Sequence, residues 1–251
     1  MNAITASSWP YPRWIAHRGA GKLAPENTLA AFRLGAQYGY RMFECDAKLS
    51  SDGVPFLMHD ATLERTTNGR GTGGDLPLGA LAQLDAGSWH SRAYAGEAVP
   101  TLEALARFCI ANGYFLNIEI KPTPGQEETT GRVVGETAAR LWQGQAVPPL
   151  FSSFKPDALA GAQATAAHIP RALLLDTLWD GCLDTARRLG CVAIVCNHAL
   201  WDAALVAQVK GMGMRTLSYT VNDDWAAQRL IALGTDGIIT DRVDLFSPAT
   251  P

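Results

Sequence analysis

The chain has no apolar stretch approaching the roughly 18 residues that a membrane-spanning helix requires, so no transmembrane segment is expected. It has no excess of either charge. A net charge of -3 over 251 residues leaves no electrostatic footprint for nucleic acid or an anionic membrane, and neither is an expected partner. Its first residues, "MNAITASSWPYPRW", lack a basic n-region and an apolar h-region, which predicts no cleaved leader. The five cysteines (Cys45, Cys109, Cys182, Cys191 and Cys196) are odd in number and include no CxxC. They sit mostly in apolar runs and read as free buried thiols of a reducing compartment, which predicts the cytoplasm. Walker A, GxSxG and HExxH are all missing. The "GAG" at 19–21 lacks the third glycine of a dinucleotide fingerprint, and "GRGTGG" has neither the preceding strand nor the following helix of a phosphate cradle.

What the chain does have is alternation. Apolar runs of strand length fall at 14–17, 42–49, 54–59, 114–121, 150–154, 171–176, 192–197, 215–221 and 236–241. Helical patterns fit 28–38, 101–112, 128–143, 156–167, 180–189, 201–211 and 223–233. Asn27-Thr28 and Pro100-Thr101 supply helix starts; Gly39, Gly113, Gly190 and Gly234 supply stops. Strands separated by helices form a parallel sheet, and near-continuous apolar strands are covered on both faces. The expectation is an α/β fold: one TIM-type (β/α)8 barrel domain spanning 1–251.

Nine strands are one too many for eight positions. Only "SSDG" separates 42–49 from 54–59, too short for a parallel crossover, so these two should form an antiparallel hairpin. A two-residue Asp52-Gly53 turn would set Asp46 opposite His59. A slip of one residue would move His59 to the other face. The stretch from about 61 to 100 breaks the alternation and is expected to be a small ordered insertion, or cap, held by Leu81, Leu84 and Trp89.

Within "MFECDAKL", Glu44 and Asp46 are two apart on a strand and face the same way. Two carboxylates about 4 Å apart repel by about 4 kcal/mol at an effective dielectric of 20, so a cation, a shared proton or basic neighbours must offset them. Alternatively the pair lies on a solvated strand end. In "NIEIKP", Asn117, Glu119 and Lys121 share a face, and Glu119 can complete an all-oxygen site for a hard divalent cation such as Mg²⁺ or Ca²⁺. A buried Lys–Glu pair explains the same residues. His17 and His59 each end an apolar strand beside these carboxylates, and two such groups can supply a general acid and a general base. His90, His168 and His198 read as ordinary structural or surface histidines.

In order and spacing, "HRG", "PENT", "ExD", "HD" and "ExK", followed by "LERTTNGRGTGG", "LDAGSW", "VPTLEAL" and "DGIITD", resemble the glycerophosphodiester phosphodiesterases of the cytoplasmic bacterial type. The resemblance is densest over 14–122. It implies a barrel with one divalent cation held by Glu44, Asp46 and Glu119, an acid/base pair in His17 and His59, and a phosphate grip in Arg18 and Lys121. Glu26 and Asn27 of "PENT" take a supporting role by the same resemblance. Two departures stand out: Tyr219 in "YTVN", where many members have Trp, and Val243 in "DRV", where "DRP" is frequent. The first bears on contacts to the substrate, while the second reads as peripheral. The implied reaction is metal-dependent hydrolysis of a small glycerophosphodiester to glycerol 3-phosphate and an alcohol, by a monomer or homodimer without stable membrane association. Two other readings remain open: a phospholipase D-like or phosphoinositide-type lipid phosphodiesterase, and a catalytically silent glycerophosphodiester-binding protein.

Overall fold

A computed structural model describes residues 9–248. Most of the stretch on which the leader-peptide expectation rests, residues 1–8, lies outside them. Eight parallel strands close a ring: β1 (Trp14–Ala16), β2 (Met42–Leu49), β4 (Phe115–Ile120), β5 (Leu150–Ser153), β6 (Arg171–Leu175), β7 (Ala193–Asn197), β8 (Arg215–Tyr219) and β9 (Gly237–Thr240). The ring shuts where β1 lies between β9 and β2, through Ile15 beside Ile239 and Ala16 beside Phe43. The short β3 (Pro55–Leu57) is the surplus strand and pairs antiparallel with β2. Seven crossover helices cover the outside: α1 (Leu29–Gln37), α3 (Leu102–Asn112), α4 (Glu127–Leu141), α5 (Pro156–Thr165), α6 (Cys182–Arg188), α7 (Ala203–Gly211) and α8 (Asp224–Ala232). This is the TIM-type barrel that the strand–helix alternation predicts.

Alternation along each strand sorts side chains between two cores. Phe43, Cys45 and Ala47 of β2 point outward and pack with Phe32, Leu102 and Leu105 beneath the helices. Met42 points inward with Ile15, Leu150, Leu174, Leu217 and Ile239, and Tyr11 packs among them. Above Met42 on the same inward face stand Glu44, Asp46 and Lys48. The interior is therefore apolar at the N-terminal ends of the strands and polar at their C-terminal ends. All five cysteines are buried and free, as their apolar surroundings suggest.

The hairpin departs from its expected register. Ala47 pairs with Leu57 and Leu49 with Pro55, and Met58 N–H donates to the Asp46 carbonyl at 3.0 Å, so Met58 rather than His59 lies opposite Asp46. Asp52-Gly53 is not a two-residue turn. Ser51, Asp52 and Gly53 form a three-residue loop in which Gly53 takes a left-handed φ of 76° and donates to the Ser50 carbonyl at 2.9 Å. His59 nonetheless reaches the barrel mouth, because the ladder ends at Leu57 and the chain leaves the pleat before it gets there.

Between β3 and α3 the chain builds a cap around a buried cluster of Phe56, Met58, Leu63, Leu81, Ala86 and Val99, with one short α-helix, α2 (Leu78–Leu81), and 3-10 turns at Gly73–Asp75 and Arg92–Tyr94. Leu84 packs against this cluster as expected; Trp89 is 40% exposed and is tied to it through its indole N–H, which donates to the Ala86 carbonyl at 2.9 Å. Of the expected starts at 27–28 and 100–101, Thr28 and Thr101 are the caps, each accepting from the backbone N–H three residues on. Asn27 is released for another use.

The turn after β1 is wedged against α1. Gly19 has a φ of 103°, and a Cβ added at Gly35 would lie 2.1 Å from the Gly19 carbonyl oxygen. Neither backbone can yield easily, so Gly35→Ala should destabilise the protein by about 2 kcal/mol. Urea titration reads this directly, and an unchanged midpoint would contradict so close an approach.

Candidate active site

β2 and β4 run side by side in a register that places Glu44 beside Asn117 and Asp46 beside Glu119. Inward-facing carboxylates from both strands thereby converge, and Glu44, Asp46 and Glu119 each offer an oxygen within 4.8 Å of the others. Asp46 is the best supported. Asn27 clasps it at two points, its side-chain amide donating to Asp46 Oδ2 at 2.8 Å and its carbonyl oxygen accepting from the Asp46 N–H at 3.1 Å. Arg18 Nε forms an ion pair with Asp46 Oδ2 at 3.1 Å, and Lys121 Nζ stands 3.7 Å from Oδ1. Among the described residues, Arg18 (φ 49°) and Asn27 (φ 61°) are the two non-glycine residues with positive φ. The strained backbone thus sits at the two side chains that hold Asp46.

The three carboxyls separate in charge. Burial raises Asp46, but Arg18 and Lys121, with His59 and the Asn27 amide, outweigh it and hold this carboxyl well below the usual range. Glu44 goes the other way: burial first, then the charge on Asp46, pushes it up. The same two causes raise Glu119, although Lys121 donates to its Oε1 at 2.8 Å. Glu44 Oε1 and Asp46 Oδ1 are buried without hydrogen-bond partners, and both belong to the triad. Three converging carboxyls, two of them with a buried oxygen left unpartnered, suit a hard divalent cation better than any neutral occupant.

His17 follows β1 and His59 follows β3, and both line one cavity of about 170 Å³ with Arg18, Glu44, Asn117, Glu119 and Lys121. Each imidazole is backed by a carboxylate through Nδ1, His17 by Asp241 at 2.6 Å and His59 by Asp60 at 2.8 Å. Nδ1 therefore carries the proton towards the carboxylate, and Nε2 is left for chemistry. His17 Nε2 lies 3.8 Å from Glu44 Oε2. Burial lowers His17, but the Asp241 hydrogen bond and the Glu44 charge outweigh it and leave the ring raised. Burial, aided by Arg18 and Lys121, keeps His59 low.

The candidate site residues read from the sequence lie at or beside this cavity. Glu26 accepts from Arg18 Nη1 at 3.0 Å, and Tyr219 lines the wall edge-on to Phe154, its hydroxyl donating to the Leu175 carbonyl at 3.1 Å. Several contributors escaped the sequence reading. Asp241 stands in the "DRV" segment, where the sequence reading concerns Val243 alone, yet it bonds His17 and in turn accepts from Asn222 Nδ2 at 2.9 Å. Its position, one residue past an apolar strand, was the signal available. Asp60 is the second residue of "HD". Arg65, Lys48 and Ser152 carried no such mark. Lys48 is buried and donates to the Lys121 carbonyl at 3.0 Å; Ser152 Oγ and both polar atoms of Asn117 line the cavity's deep side without partners.

Comparison with known proteins places this geometry in a lineage. The model of the glycerophosphoryl diester phosphodiesterase family matches residues 17–245. A glycerophosphodiester phosphodiesterase of Caldanaerobacter subterraneus is 33% identical over 90% of this chain and 93% of its own length. One of Bacillus subtilis is 30% identical over 92% and 84%. Among solved structures, an Oleispira antarctica phosphodiesterase in complex with the product sn-glycerol-3-phosphate superposes with a TM-score of 0.87, at 36% identity over 94% of this chain and 95% of that one. Because the family model spans nearly the whole barrel, cap included, the chain belongs to the glycerophosphoryl diester phosphodiesterase family.

Proposed function

We propose that the protein hydrolyses small glycerophosphodiesters, such as glycerophosphocholine and glycerophosphoethanolamine, to glycerol 3-phosphate and the free alcohol. One observation carries this reading: two carboxylate-backed histidines, Arg18, Lys121 and two members of a carboxylate triad line a single cavity, with the third member, Asp46, converging on them. The diester's single negative charge suits Arg18 and Lys121, Arg18 offering a planar fork and Lys121 a point charge. One histidine accepts the proton of the attacking hydroxyl, and the other donates to the departing alkoxide, each through Nε2. Asp241 and Asp60 hold the two rings in the required tautomer. Glu44, Asp46 and Glu119 would hold Mg²⁺ or Ca²⁺, which when bound neutralises charge developing on the phosphoryl oxygens. The unpartnered Asn117 and Ser152 offer hydrogen bonds to the hydroxyls of the glycerol moiety, while Leu174, Ile239 and Phe154 meet its carbons. We further propose that residues 1–251 form one catalytic domain with the cap as an insertion, and that it works in the cytoplasm.

Incubation with glycerophosphocholine should release glycerol 3-phosphate. His17→Ala and His59→Ala should each lower kcat by about 10²- to 10⁴-fold; full activity in either variant would remove that residue from the mechanism. A strong chelator should abolish turnover, and added Mg²⁺ or Ca²⁺ should restore it.

Burial and the charge on Asp46 push the Glu44 carboxyl up to about 8, so it carries a proton at neutral pH when no cation is bound, and cation uptake must release it. Cation affinity should therefore rise with pH. Calorimetry in two buffers of different ionisation enthalpy should report net proton release near pH 7, and identical heats in both would refute it. Glu119→Gln should weaken cation binding by more than the roughly 10- to 100-fold typical of an outer-shell partner.

A further inference from the structure

Arg65 belongs to the cap and stands outside the cavity lining, with its side chain 45% exposed. Its Nε donates to Asp60 Oδ2 at 2.6 Å and its Nη2 to Asp60 Oδ1 at 3.1 Å. On the other side, Nη1 donates to Glu26 Oε2 at 2.7 Å and Nη2 to Glu26 Oε1 at 2.8 Å. One guanidinium thus grips two carboxylates, each at two points. An exposed ion pair usually contributes little, but these carboxylates have further partners. Asp60 Oδ1 meets His59 Nδ1 at 2.8 Å, and Glu26 Oε1 accepts from Arg18 Nη1 at 3.0 Å.

We propose that Arg65 is a positioning residue that, from the cap, locks the Asp60 carboxylate and so the ring of His59, and ties it through Glu26 to the guanidinium of Arg18. The proposal rests on the reading of His59 as a proton-transfer group. His59 needs such help. It lies beyond the last ladder residue of β3, its side chain is 30% exposed, and Asp60 is on irregular backbone. A carboxylate held only by an imidazole can rotate; one held in a two-point guanidinium fork cannot without breaking two bonds. Arg65 is itself anchored, because the turn carrying it is pinned by fully buried Leu63, whose carbonyl accepts from Thr67 N–H at 3.0 Å and Thr67 Oγ1 at 2.7 Å. The cap core therefore sets where Arg65 stands, and Arg65 sets where His59 points. Lysine could supply the charge but not two parallel pairs.

The test compares wild type, Arg65→Ala, Arg65→Lys, Asp60→Asn, the Arg65→Ala/Asp60→Asn double variant and His59→Ala on glycerophosphocholine, with Tm measured for each. Both Arg65 variants should lose kcat on the order of 10- to 100-fold, the scale of a misplaced reacting group. KM should stay within about twofold, because Arg18 keeps its ion pair with Asp46 and the phosphate grip survives. Guanidine added at millimolar concentration should partly restore Arg65→Ala at its exposed site and leave His59→Ala unchanged. Arg65→Ala should cost less in the Asp60→Asn background than in wild type. Unchanged kcat in both Arg65 variants, with His59→Ala inactive, would overturn the proposal while sparing the role of His59. A raised KM at constant kcat would also overturn it, making Arg65 a direct phosphate ligand. If Arg65→Ala does not fold, Arg65→Lys, which keeps the charge, decides alone. Full activity in His59→Ala would instead sink the assignment of His59 on which the proposal stands.

Discussion

A buried negative charge at Asp46 organises the mouth of this barrel. The carboxylate is fully buried, and desolvation alone would drive it to accept a proton. It stays charged because Arg18, Asn27 and Lys121 converge on it from the turn after β1, the start of α1 and the end of β4. Those residues are thereby fixed in turn. Arg18 and Asn27 accept positive φ in exchange, and the Arg18 N–H is left directed at Glu44 Oε2 at 3.0 Å. Remove this charge and the segment from His17 to Thr28 loses the reason for its shape.

The other two carboxyls then have no cations to spare. Lys121 serves both Asp46 and Glu119, and Glu44 depends on a histidine and a backbone N–H. That shortfall separates the site from a self-sufficient buried ion-pair network, which would leave its members content without an occupant. The supporting carboxylates Asp60, Asp241 and Glu26 lie one step farther out, where each finishes the geometry of a histidine or arginine rather than joining the triad.

How much of this was legible in the sequence follows from the range of each signal. Period-2 spacing put Glu44 with Asp46 and Asn117 with Glu119, because alternation is a local property of one strand. Helix and strand alternation was equally local, and the barrel followed from it. The hairpin register was not legible. It turned on whether the loop held two residues or three, and the Ser50 hydroxyl tipped that balance by donating to Asp52 Oδ1 at 2.6 Å and accepting from the Val54 N–H at 2.9 Å. Nor was the partner of His17, which lies 224 residues away and meets it only because the ring closes between β1 and β9. Arg65 is a similar case, since only the folded cap brings it to Glu26, 39 residues earlier.

The apolar packing at the foot of the barrel has a consequence for traffic. Tyr11 seals the lower interior, packed edge-on against Phe115 at 6.0 Å between ring centroids and anchored by its hydroxyl to the Pro148 carbonyl at 2.9 Å. The polar cavity is thus a well with a packed floor rather than a passage. Whatever is split inside it leaves by the mouth through which it came. That single route is set by the plug at the bottom and not by the groups that do the splitting.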